Sequence, residues 1–461
     1  MTDLAALAAD IRRETGRDRV IDDRDVTASY EIDWTGRFQG RTGLVLRPTT
    51  THELAIAVAR TTSAGVAIVP QGGNTGLVGG GVPRNGEVVL STRRMVGLEA
   101  TETQSEVIAS AGVTLTTLQQ HAREKGMEFG VDLAARESAT VGGMIATNAG
   151  GVHTIRWGRM RAQVLGLEVV LHDGEIIDHL EQRSGRGAFG LAELMVGSEG
   201  TLGIISRARL KLNPSQENTA VALLSVDSLE SAVEVALRVR STTPEVSAVE
   251  YFGAAAVDLV RAHRGMDPPL ADAGEAYLLV EASGDDPLTE LYSGLESIPQ
   301  IRDSAVATEP GPRKTLWELR DGISEAISAA GVPRKYDIWL PPTQIAQFEM
   351  SISRIIDHAG ADLVLFGHLA AGSLHANVLG LEPGKNIDDD IYRLVVDLGG
   401  SPSSEHGVGS SKVRWQGLAM SPVELRVLQS VKRAFDPNGL LNPGVLIPAD
   451  PSSGHGREQP S

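Results

Sequence analysis

At 461 residues, the chain is long enough for two to three domains, and its hydrophobic fraction of 41% and charged fraction of 22% are ordinary for a globular protein. The net charge of −17 argues against nucleic acid as a main partner, although a few local cations can still bind a small anion. The chain has no cysteine, which excludes disulfides, thiolate catalysis, iron–sulfur ligation and a thioether-linked flavin. Because it shows neither an apolar run of membrane-span length nor a signal-peptide pattern, we expect a cytoplasmic protein with no membrane span.

The N-terminal part of the chain leads through short helix and strand patterns into a glycine-rich loop. A helical pattern near Leu4–Ile11 is followed by a capping box, Thr50 with Glu53, which predicts a helix running to about Ala64. Val66–Val69 reads as a strand that delivers the chain into Pro70–Gly81, where six of the ten positions 72–81 are glycine. Such a run lets backbone N–H groups surround a bound anion, most often a phosphate. A flexible surface loop is the alternative, and neither the Rossmann nor the P-loop signature matches.

The elements that follow predict two domains. The first continues with two strands, a helix and a hairpin closed by an Asp-Gly turn, which we place at 88–91, 106–109, 114–125 and 164–178. A boundary is expected at 214–216. Beyond it, strands at 220–226, 246–251, 276–281 and 363–366, with helices at 228–240 and around 315–328, predict an antiparallel sheet with helices on one face. The predicted domains are 1–215, with a core of about 40–215, and 216–447, and the Pro/Ser/Gly-rich tail 448–461 is expected to be disordered.

Two more glycine clusters lie in the first domain, at 137–151 and 197–204. Both mix glycine with small hydroxyl or amide side chains, which combines close backbone approach with side-chain hydrogen bonds. One such cluster alone is more often a turn. Three clusters within about 150 residues favour an extended dinucleotide as the ligand.

A histidine pair stands out in the second domain. In Phe366–Asn377, two strands around a tight turn at Ala371-Gly372 would place His368 directly opposite His375, with Asn377 on the same face. Directly opposed residues have Cβ atoms about 5 Å apart, which suits two imidazoles that share one ion. Two ordinary surface histidines are the alternative.

Glu405 and His406, in a turn bounded by glycine, add a carboxylate and a third imidazole. A two-histidine, one-carboxylate set leaves open coordination positions for a substrate, unlike a closed structural site. Arg320 and Lys335 are isolated cations near the same part of the chain. From the sequence alone, Arg320 reads as an ordinary helix-surface arginine.

The order of these motifs resembles the FAD-binding domain of the vanillyl-alcohol-oxidase type flavoproteins, and the later segments resemble the FAD-linked D-2-hydroxyacid dehydrogenases, over roughly residues 30–447. The resemblance implies an α+β fold. It comprises a two-part FAD-binding domain and a cap, or substrate, domain made of an antiparallel sheet plus helices, whose last part (about 400–447) folds back on the flavin. It also implies contacts to FAD from Pro70, Gly72, Gly73, Asn74, Thr75, Gly76, Leu77, Ser138, Thr140, Gly142, Gly143, Asn148, Gly151, Gly200, Ile204 and Asn442. Relatives with covalent flavin often carry histidine in the first loop, so Asn74-Thr75 implies noncovalent FAD.

The same resemblance assigns roles to the histidines, the carboxylate and the cations of the second domain. His368, His375 and Glu405 match the metal ligands of the family, with Zn²⁺ or, as the alternative, Mn²⁺. His406 matches its catalytic base, and the substrate-binding positions are Arg320, Ser324, Lys335 and Asn377. Relatives usually have Gly-Asp-Gly-Asn where this chain has Ala370-Ala371-Gly372-Ser373, which puts metal affinity or the pocket beside the turn in question. Trp339 replaces a common serine and is expected to narrow the pocket.

The resemblance thus implies FAD- and metal-dependent oxidation of a D-2-hydroxy acid, of the D-2-hydroxyglutarate or D-lactate class, to the 2-oxo acid. Hydride would pass to flavin N5 and the electrons to a quinone, a cytochrome or an electron-transfer flavoprotein. The alternatives are a same-fold flavin oxidase of another alcohol, an alkyl-dihydroxyacetone-phosphate synthase relative, and a glycolate-oxidase-like flavin subunit that works in a complex. A homodimer is a further expectation.

Overall fold

A computed structural model describes residues 3–181, 190–216 and 218–448. The predicted tail therefore lies, from residue 449 onward, outside the described residues. In the described part of the chain, none of the helices has the length and apolar character needed to cross a membrane.

The strands before residue 217 form three small sheets. In chain order they are β1 Val20–Ile21, β2 Val45–Leu46, β3 Ile68–Gln71, β4 Val88–Ser91, β5 Leu98–Ala100, β6 Glu106–Ser110, β7 Met127–Glu128, β8 Val164–Val170, β9 Ile176–Asp178, β10 Ile204–Lys211 and β11 Asn213–Pro214. The first sheet has the order β1-β2-β4-β3, with β4 parallel to both neighbours, and the second is antiparallel in the order β5-β6-β10-β8-β9. The predicted hairpin is β8–β9, and Gly174 takes φ +87° in its turn.

The strands after residue 217 form one antiparallel sheet. They are β12 Asn218–Val226, β13 Val246–Gly253, β14 Ala276–Gly284, β15 Ile301–Ala307, β16 Arg334–Trp339, β17 Asp362–Gly367 and β18 Ser373–Leu379. Their order in the sheet is β15-β12-β14-β13-β17-β18-β16. The edge beyond β17 carries three of the candidate substrate-binding and metal-binding residues, Lys335, His375 and Asn377.

Seventeen α-helices connect and cover these sheets in the described residues. They are α1 Leu4–Thr15, α2 Arg24–Thr27, α3 Thr51–Ser63, α4 Leu115–Arg123, α5 Val141–Thr147, α6 Thr154–Trp157, α7 Met160–Gln163, α8 Leu191–Met195, α9 Leu229–Thr242, α10 Ala254–Arg264, α11 Pro287–Leu295, α12 Pro310–Asp321, α13 Ile323–Ala330, α14 Ile345–Ala359, α15 Asp388–Asp397, α16 Val413–Ala419 and α17 Pro422–Phe435. The capping box at α3 differs from its prediction in one bond. The Thr50 hydroxyl accepts the Glu53 N–H, but Glu53 accepts the N–H of Thr49 instead of Thr50.

Two predictions for the second domain were wrong. Helices cover both faces of the seven-stranded sheet: α9 and α14 share one hydrophobic core with it, and α10, α12 and α13 share another. The continuous apolar run Ala220–Leu224 carried this signal, because a strand that is buried on both faces has no polar alternation. The single helix expected around 315–328 is two helices, α12 and α13, which meet at Gly322.

The chain returns to the first sheet near its end. Leu441 forms a parallel bridge with Ile68, the Asn442 N–H donates to the Ile68 carbonyl at 2.8 Å, and the Ile68 N–H donates to the Leu440 carbonyl at 2.8 Å. This return brings the side chain of Asn442 beside the glycine-rich loops.

Candidate active site

The three glycine-rich loops and the candidate residues of the second domain line one cavity of about 1280 Å³. The candidate FAD contacts on its wall, called the loop side, are Pro70, Gly72, Gly73, Asn74, Thr75, Gly76, Leu77, Ser138, Thr140, Gly142, Gly143, Gly151, Gly200, Ile204 and Asn442. The candidate substrate, metal and catalytic residues on its wall, called the substrate side, are Arg320, Ser324, Lys335, His368, His375, Asn377, Glu405 and His406. Residues that are far apart in the sequence therefore meet where a cofactor and a substrate could react.

Close contact between the first two loops explains the glycines at positions 72 and 73. A Cβ built on Gly73 would lie 1.8 Å from the carbonyl oxygen of Ser138, and one built on Gly72 would lie 2.4 Å from Thr140 Oγ1. The Thr140 hydroxyl also accepts the Gly143 N–H at 3.4 Å and so caps α5. Glycine is thus required here to let one loop pack on the other, as well as to leave room for a ligand.

One unused hydrogen-bonding group on the cavity wall, the side-chain oxygen of Asn442, fits a bound FAD. Asn442 uses its amide nitrogen for the carbonyls of Gly80, at 3.0 Å, and Glu199, at 2.7 Å. Its Oδ1 is buried and has no hydrogen-bond partner in the described part of the protein. An unpaired buried acceptor on a cavity wall is costly unless a ligand donates to it. Asn442 is therefore available for a donor on the bound cofactor.

Asn148 is the one predicted cofactor residue that does not lie on the cavity wall. It ends α5 in the left-handed conformation, with φ +49°. Its Oδ1 accepts the Arg161 N–H at 3.0 Å, so its side chain supports the loop from behind. Its neighbours Thr147 and Ala149 line the cavity instead.

The substrate side is built on two paired strands. In the β16–β18 register, Lys335 lies opposite Asn377, and Asp337 lies opposite His375. Since alternate residues of a strand share a face, these four side chains point to one side of the sheet, toward the cavity. Asn377 Nδ2 is buried without a hydrogen-bond partner among the described residues, and it is free to donate to a substrate oxygen.

His368 and His375 meet, but not as directly paired residues. The residue opposite His375 is Phe366, because β17 ends at Gly367 and a 3₁₀ turn, Leu369–Ala371, makes the connection longer than a two-residue turn. His368 lies at the start of that turn, and its ring centroid is 5.7 Å from that of His375. The predicted register was therefore wrong, although the two imidazoles are close together.

Glu405 completes a convergent set of donor atoms. Its Oε1 lies 3.1 Å from His368 Nε2 and 3.1 Å from His375 Nε2. Burial raises the pKa of the Glu405 carboxyl, but the two histidines outweigh it and hold that pKa well below its usual range. Two imidazole nitrogens that face the same carboxylate oxygen are donor types that suit a divalent ion such as Zn²⁺ or Mn²⁺.

A second, overlapping set of atoms could also hold an ion: ligand atoms of Asp337, His375, Glu405 and His406 lie within 4.8 Å of one another. Asp337 Oδ2, however, already accepts the backbone N–H groups of the ligand-bearing turn, those of Ser404, Glu405 and His406, at 3.2, 3.1 and 2.9 Å. We favour the first set, because both of its Nε2 atoms face the same carboxylate oxygen. Asp337 then holds the turn that carries Glu405.

The altered turn Ala370–Ser373 keeps contact with the metal-binding set. The Ser373 hydroxyl donates to Glu405 Oε1 at 3.4 Å, and the indole N–H of Trp339 donates to the Ala371 carbonyl at 3.0 Å. Trp339 does not line the cavity formed by the described residues. It therefore supports the turn from outside the cavity and does not narrow the pocket, contrary to what had been expected.

Arg320 is held by a buried carboxylate. Its Nε donates to Glu250 Oε2 at 2.8 Å, and its guanidinium lies 4.8 Å from the ring centroid of Phe366. Among the described residues, the Arg320 side chain makes its hydrogen bond through Nε alone. Its terminal amino groups are therefore available toward the cavity that Arg320 lines. Ser324, on the next helix α13, lines the cavity as well.

His406 lies beside the ligand set with its ring parallel to His375, at a centroid distance of 5.3 Å and an interplanar angle of 8°. Its Nδ1 is 3.6 Å from Asp337 Oδ2, and 32% of its side chain is accessible. Burial lowers the pKa of His406 below its usual value, and this outweighs the carboxylate of Asp337, which raises it. The imidazole is thus suited to accept a proton near neutral pH.

Other residues on the cavity wall were missed from the sequence. The loop Asp33–Phe38 reaches the cavity, and the Trp34 indole donates to the Thr75 carbonyl at 3.0 Å. Arg37 lines the cavity and forms no ion pair within the described ranges. The two aromatic residues Trp34 and Phe38, on either side of Gly36, were the available signal.

A further missed pair joins the loops to the cap. His153 Nε2 lies 3.0 Å from Glu281 Oε1, and the Trp317 indole donates to Glu281 Oε2 at 2.9 Å. All three residues line the cavity. Their contact depends on tertiary packing that no local sequence pattern encodes.

Two family models match the chain. The FAD binding domain matches residues 42–179, and the FAD linked oxidases C-terminal domain matches residues 215–446. The mitochondrial D-2-hydroxyglutarate dehydrogenase of Bos taurus is 33% identical over 443 residues, which cover 93% of this chain and 81% of that one. This chain belongs to the FAD-linked D-2-hydroxyacid dehydrogenase family. The predicted family is confirmed, and the chain is an FAD-dependent oxidoreductase of that family.

Other relatives in the family agree. A putative mitochondrial D-lactate dehydrogenase of Schizosaccharomyces pombe is 34% identical over 452 residues, covering 93% of this chain and 86% of that one. A D-2-hydroxyglutarate dehydrogenase of Xanthomonas citri pv. viticola is 33% identical over 439 residues, covering 91% of this chain and 92% of that one.

Solved structures confirm the predicted fold class. p-Cresol methylhydroxylase superposes with a TM-score of 0.76 at 16% identity, covering 96% of this chain and 97% of that one. The 4-ethylphenol oxidase of Gulosibacter chungangensis gives a TM-score of 0.73 at 18% identity, with the same coverage. At this level of identity the likeness shows the fold alone.

Proposed function

We propose that the protein oxidises a D-2-hydroxy acid, of the D-2-hydroxyglutarate or D-lactate class, to the corresponding 2-oxo acid, with noncovalent FAD and a divalent ion, Zn²⁺ first and Mn²⁺ as the alternative. The supporting observation is that one cavity brings the glycine-rich loops together with His368, His375 and Glu405. The printed names of the relatives, D-2-hydroxyglutarate and D-lactate dehydrogenases, support the substrate class.

The residues of the chain divide the work of binding and proton transfer. Arg320 and Lys335 bind carboxylate, the first as a planar fork and the second as a point charge. Asn377 donates its unpaired amide N–H to a substrate oxygen. His406 takes the proton of the substrate hydroxyl, and Asp337 orients the turn from which it acts.

When bound, FAD supplies the hydride acceptor and the divalent ion polarises the substrate hydroxyl. We further propose that the electrons leave to a quinone, a cytochrome or an electron-transfer flavoprotein, and that the protein is cytoplasmic and forms a homodimer.

Anaerobic reduction of the flavin tests the proposed reaction. Purified FAD-loaded protein, supplied with Zn²⁺ or Mn²⁺, is mixed with the D and L forms of 2-hydroxyglutarate, lactate and other 2-hydroxy acids, and the flavin absorbance is followed. We expect D-acids to bleach the flavin and their L-enantiomers to leave it oxidised.

Bleaching by simple alcohols but by no 2-hydroxy acid would instead point to an oxidase of another alcohol. If none of the compounds bleaches the flavin, although an artificial reductant does, the result would favour a flavin subunit that is inactive outside a complex.

A further inference from the structure

A buried carboxylate behind the cavity wall holds two candidate functional residues at once. Glu250 lies on β13 with 0% of its side chain accessible. Its Oε1 contacts His368 Nδ1, and its Oε2 accepts the Arg320 Nε–H at 2.8 Å. No role was predicted for Glu250 from the sequence, and it is not part of the cavity wall.

The contact to His368 fixes which nitrogen faces the candidate metal position. When Nδ1–H donates to Glu250, Nε2 is the atom directed at Glu405 Oε1, 3.1 Å away. A carboxylate behind a metal-binding histidine orients the ring and makes the other nitrogen a better ligand. The carboxylate behind His375 is more distant, with Asp337 Oδ1 at 3.6 Å from His375 Nδ1. Of the two ligand histidines, His368 is therefore held more firmly.

The contact to Arg320 fixes the guanidinium in the same way. Glu250 accepts from Arg320 Nε and so fixes the plane of the guanidinium, while the two terminal amino groups, which lie in that plane, stay available, and Arg320 lines the cavity. One carboxylate thus sets both the imidazole that would bind the ion and the guanidinium that would bind the substrate carboxylate.

We propose that Glu250 is a positioning residue that couples the metal site to the substrate-carboxylate site by holding His368 with one oxygen and Arg320 with the other. This inference rests on the proposed function, because it assigns no chemistry to Glu250 beyond the ion and the 2-hydroxy acid proposed above. Both partners are donors, so the role requires two acceptor oxygens on one side chain. A carboxylate has them and a carboxamide does not.

Glu250→Gln is the direct test, because glutamine keeps the shape but can satisfy only one of the two donors. Whichever way its amide is turned, the NH₂ group faces either His368 Nδ1 or Arg320 Nε. Zn²⁺ affinity is measured on FAD-loaded protein by competition with a chromophoric chelator. Affinity for the 2-oxo acid product is measured on metal-free protein from the change in flavin absorbance.

We expect Zn²⁺ to bind about 10- to 100-fold more weakly to Glu250→Gln, the usual cost of removing a carboxylate behind a metal-binding histidine. We also expect weaker binding of the 2-oxo acid, with the FAD content unchanged. Glu106→Gln is the matched control, because it removes the charge of another buried carboxylate, which pairs with Arg209 Nε at 2.7 Å, away from the cavity. Lys335→Ala should weaken binding of the 2-oxo acid alone.

Wild-type Zn²⁺ affinity in Glu250→Gln would overturn the inference while leaving the proposed function intact. A wild-type protein that binds neither Zn²⁺ nor Mn²⁺ would overturn the metal part of the proposed function and the inference together. If Glu250→Gln yields no folded flavoprotein, Glu250→Asp replaces it, because the shorter carboxylate cannot reach both partners. The same loss of Zn²⁺ affinity is then expected, and an unchanged affinity would overturn the inference.

Discussion

His406 and His375 lie in parallel planes, yet their surroundings give them different chemistry. His375 Nε2 faces Glu405 Oε1 at 3.1 Å, whereas His406 makes its closest carboxylate contact through Nδ1, at 3.6 Å from Asp337 Oδ2. The Nε2 of His406 is then left for the cavity that it lines. This difference is the reason to assign ligation to His375 and proton transfer to His406.

His406→Ala should keep FAD and Zn²⁺ but slow the reduction of the flavin by about 10²-fold or more, the usual effect of losing a positioned base. The measurement is stopped-flow flavin reduction across a range of substrate concentrations. Lys335→Ala is the contrast, because its charge is paired with the substrate carboxylate in both the ground state and the transition state. It should therefore raise the substrate concentration needed for half-maximal reduction more than it lowers the limiting rate.

One outcome would exclude His406 as the base. This is reduction of the flavin by His406→Ala at the wild-type limiting rate when the substrate is saturating. Arg320→Ala is a poor substitute for Lys335→Ala in this comparison, because it also removes a partner of the buried Glu250 carboxylate.

At the scale of elements, local patterns predicted part of the strands and a minority of the helices, and they did not predict the contacts between them. The turn chemistry of Asp173-Gly174 predicted the β8–β9 hairpin, because that turn requires glycine at positive φ. The register of His368 and His375 could not be read in the same way, because the connection between β17 and β18 contains a 3₁₀ turn of apolar residues with no fixed length signal. Glu250 and Asp337 lie on strands and contact a helix and turns that are distant in the sequence, and no spacing rule relates them.

Gly73→Val should reduce FAD binding because its Cβ would overlap the carbonyl oxygen of Ser138 and push the first loop away from the second. Overpacking of this kind costs about 1–3 kcal/mol, which corresponds to roughly 5- to 150-fold weaker FAD binding. The measurement is the FAD content of purified protein and the affinity for added FAD. Gly311→Val is the control, since a Cβ there meets no atom within 4 Å and Gly311 is outside the cavity wall.

Gly76→Ala distinguishes loop packing from ligand contact. A Cβ at Gly76 meets no protein atom within 4 Å, although the residue lines the cavity. Weaker FAD binding in this variant would therefore report a contact with the cofactor itself. Full FAD occupancy in Gly73→Val would show that the two loops can separate without loss of the site.

At the scale of the whole molecule, the two domains share one cavity but supply different groups to it. Glu199 of the third loop accepts the N–H groups of Val408 and Gly409 at 2.7 and 2.8 Å, just after the turn that carries Glu405 and His406. Burial raises the pKa of Glu199 to about 7, against these two hydrogen bonds, which lower it. This contact and the return of the chain at Asn442 fix the position of the turn that carries Glu405 and His406 relative to the glycine-rich loops. The atoms proposed to bind the metal all belong to the second domain.

This division predicts that removal of the metal leaves FAD in place. A strong chelator followed by desalting should abolish turnover with D-2-hydroxy acids while the flavin absorbance stays with the protein, because the residues proposed to contact FAD are apart from His368, His375 and Glu405. Polarisation by a bound ion is worth several kcal/mol, at about 1.4 kcal/mol for each factor of ten, so a loss of roughly 10²-fold or more is expected. Zn²⁺ or Mn²⁺ should restore the rate.

Two histidine variants separate the proposed metal site from general effects of metal removal. His375→Ala should remain inactive after Zn²⁺ is added, whereas His358→Ala, at the exposed end of α14, should behave as wild type. If protein shown to be free of metal keeps full activity, the chain has no functional metal site, and the altered turn Ala370–Ser373 is the sequence change that goes with this loss.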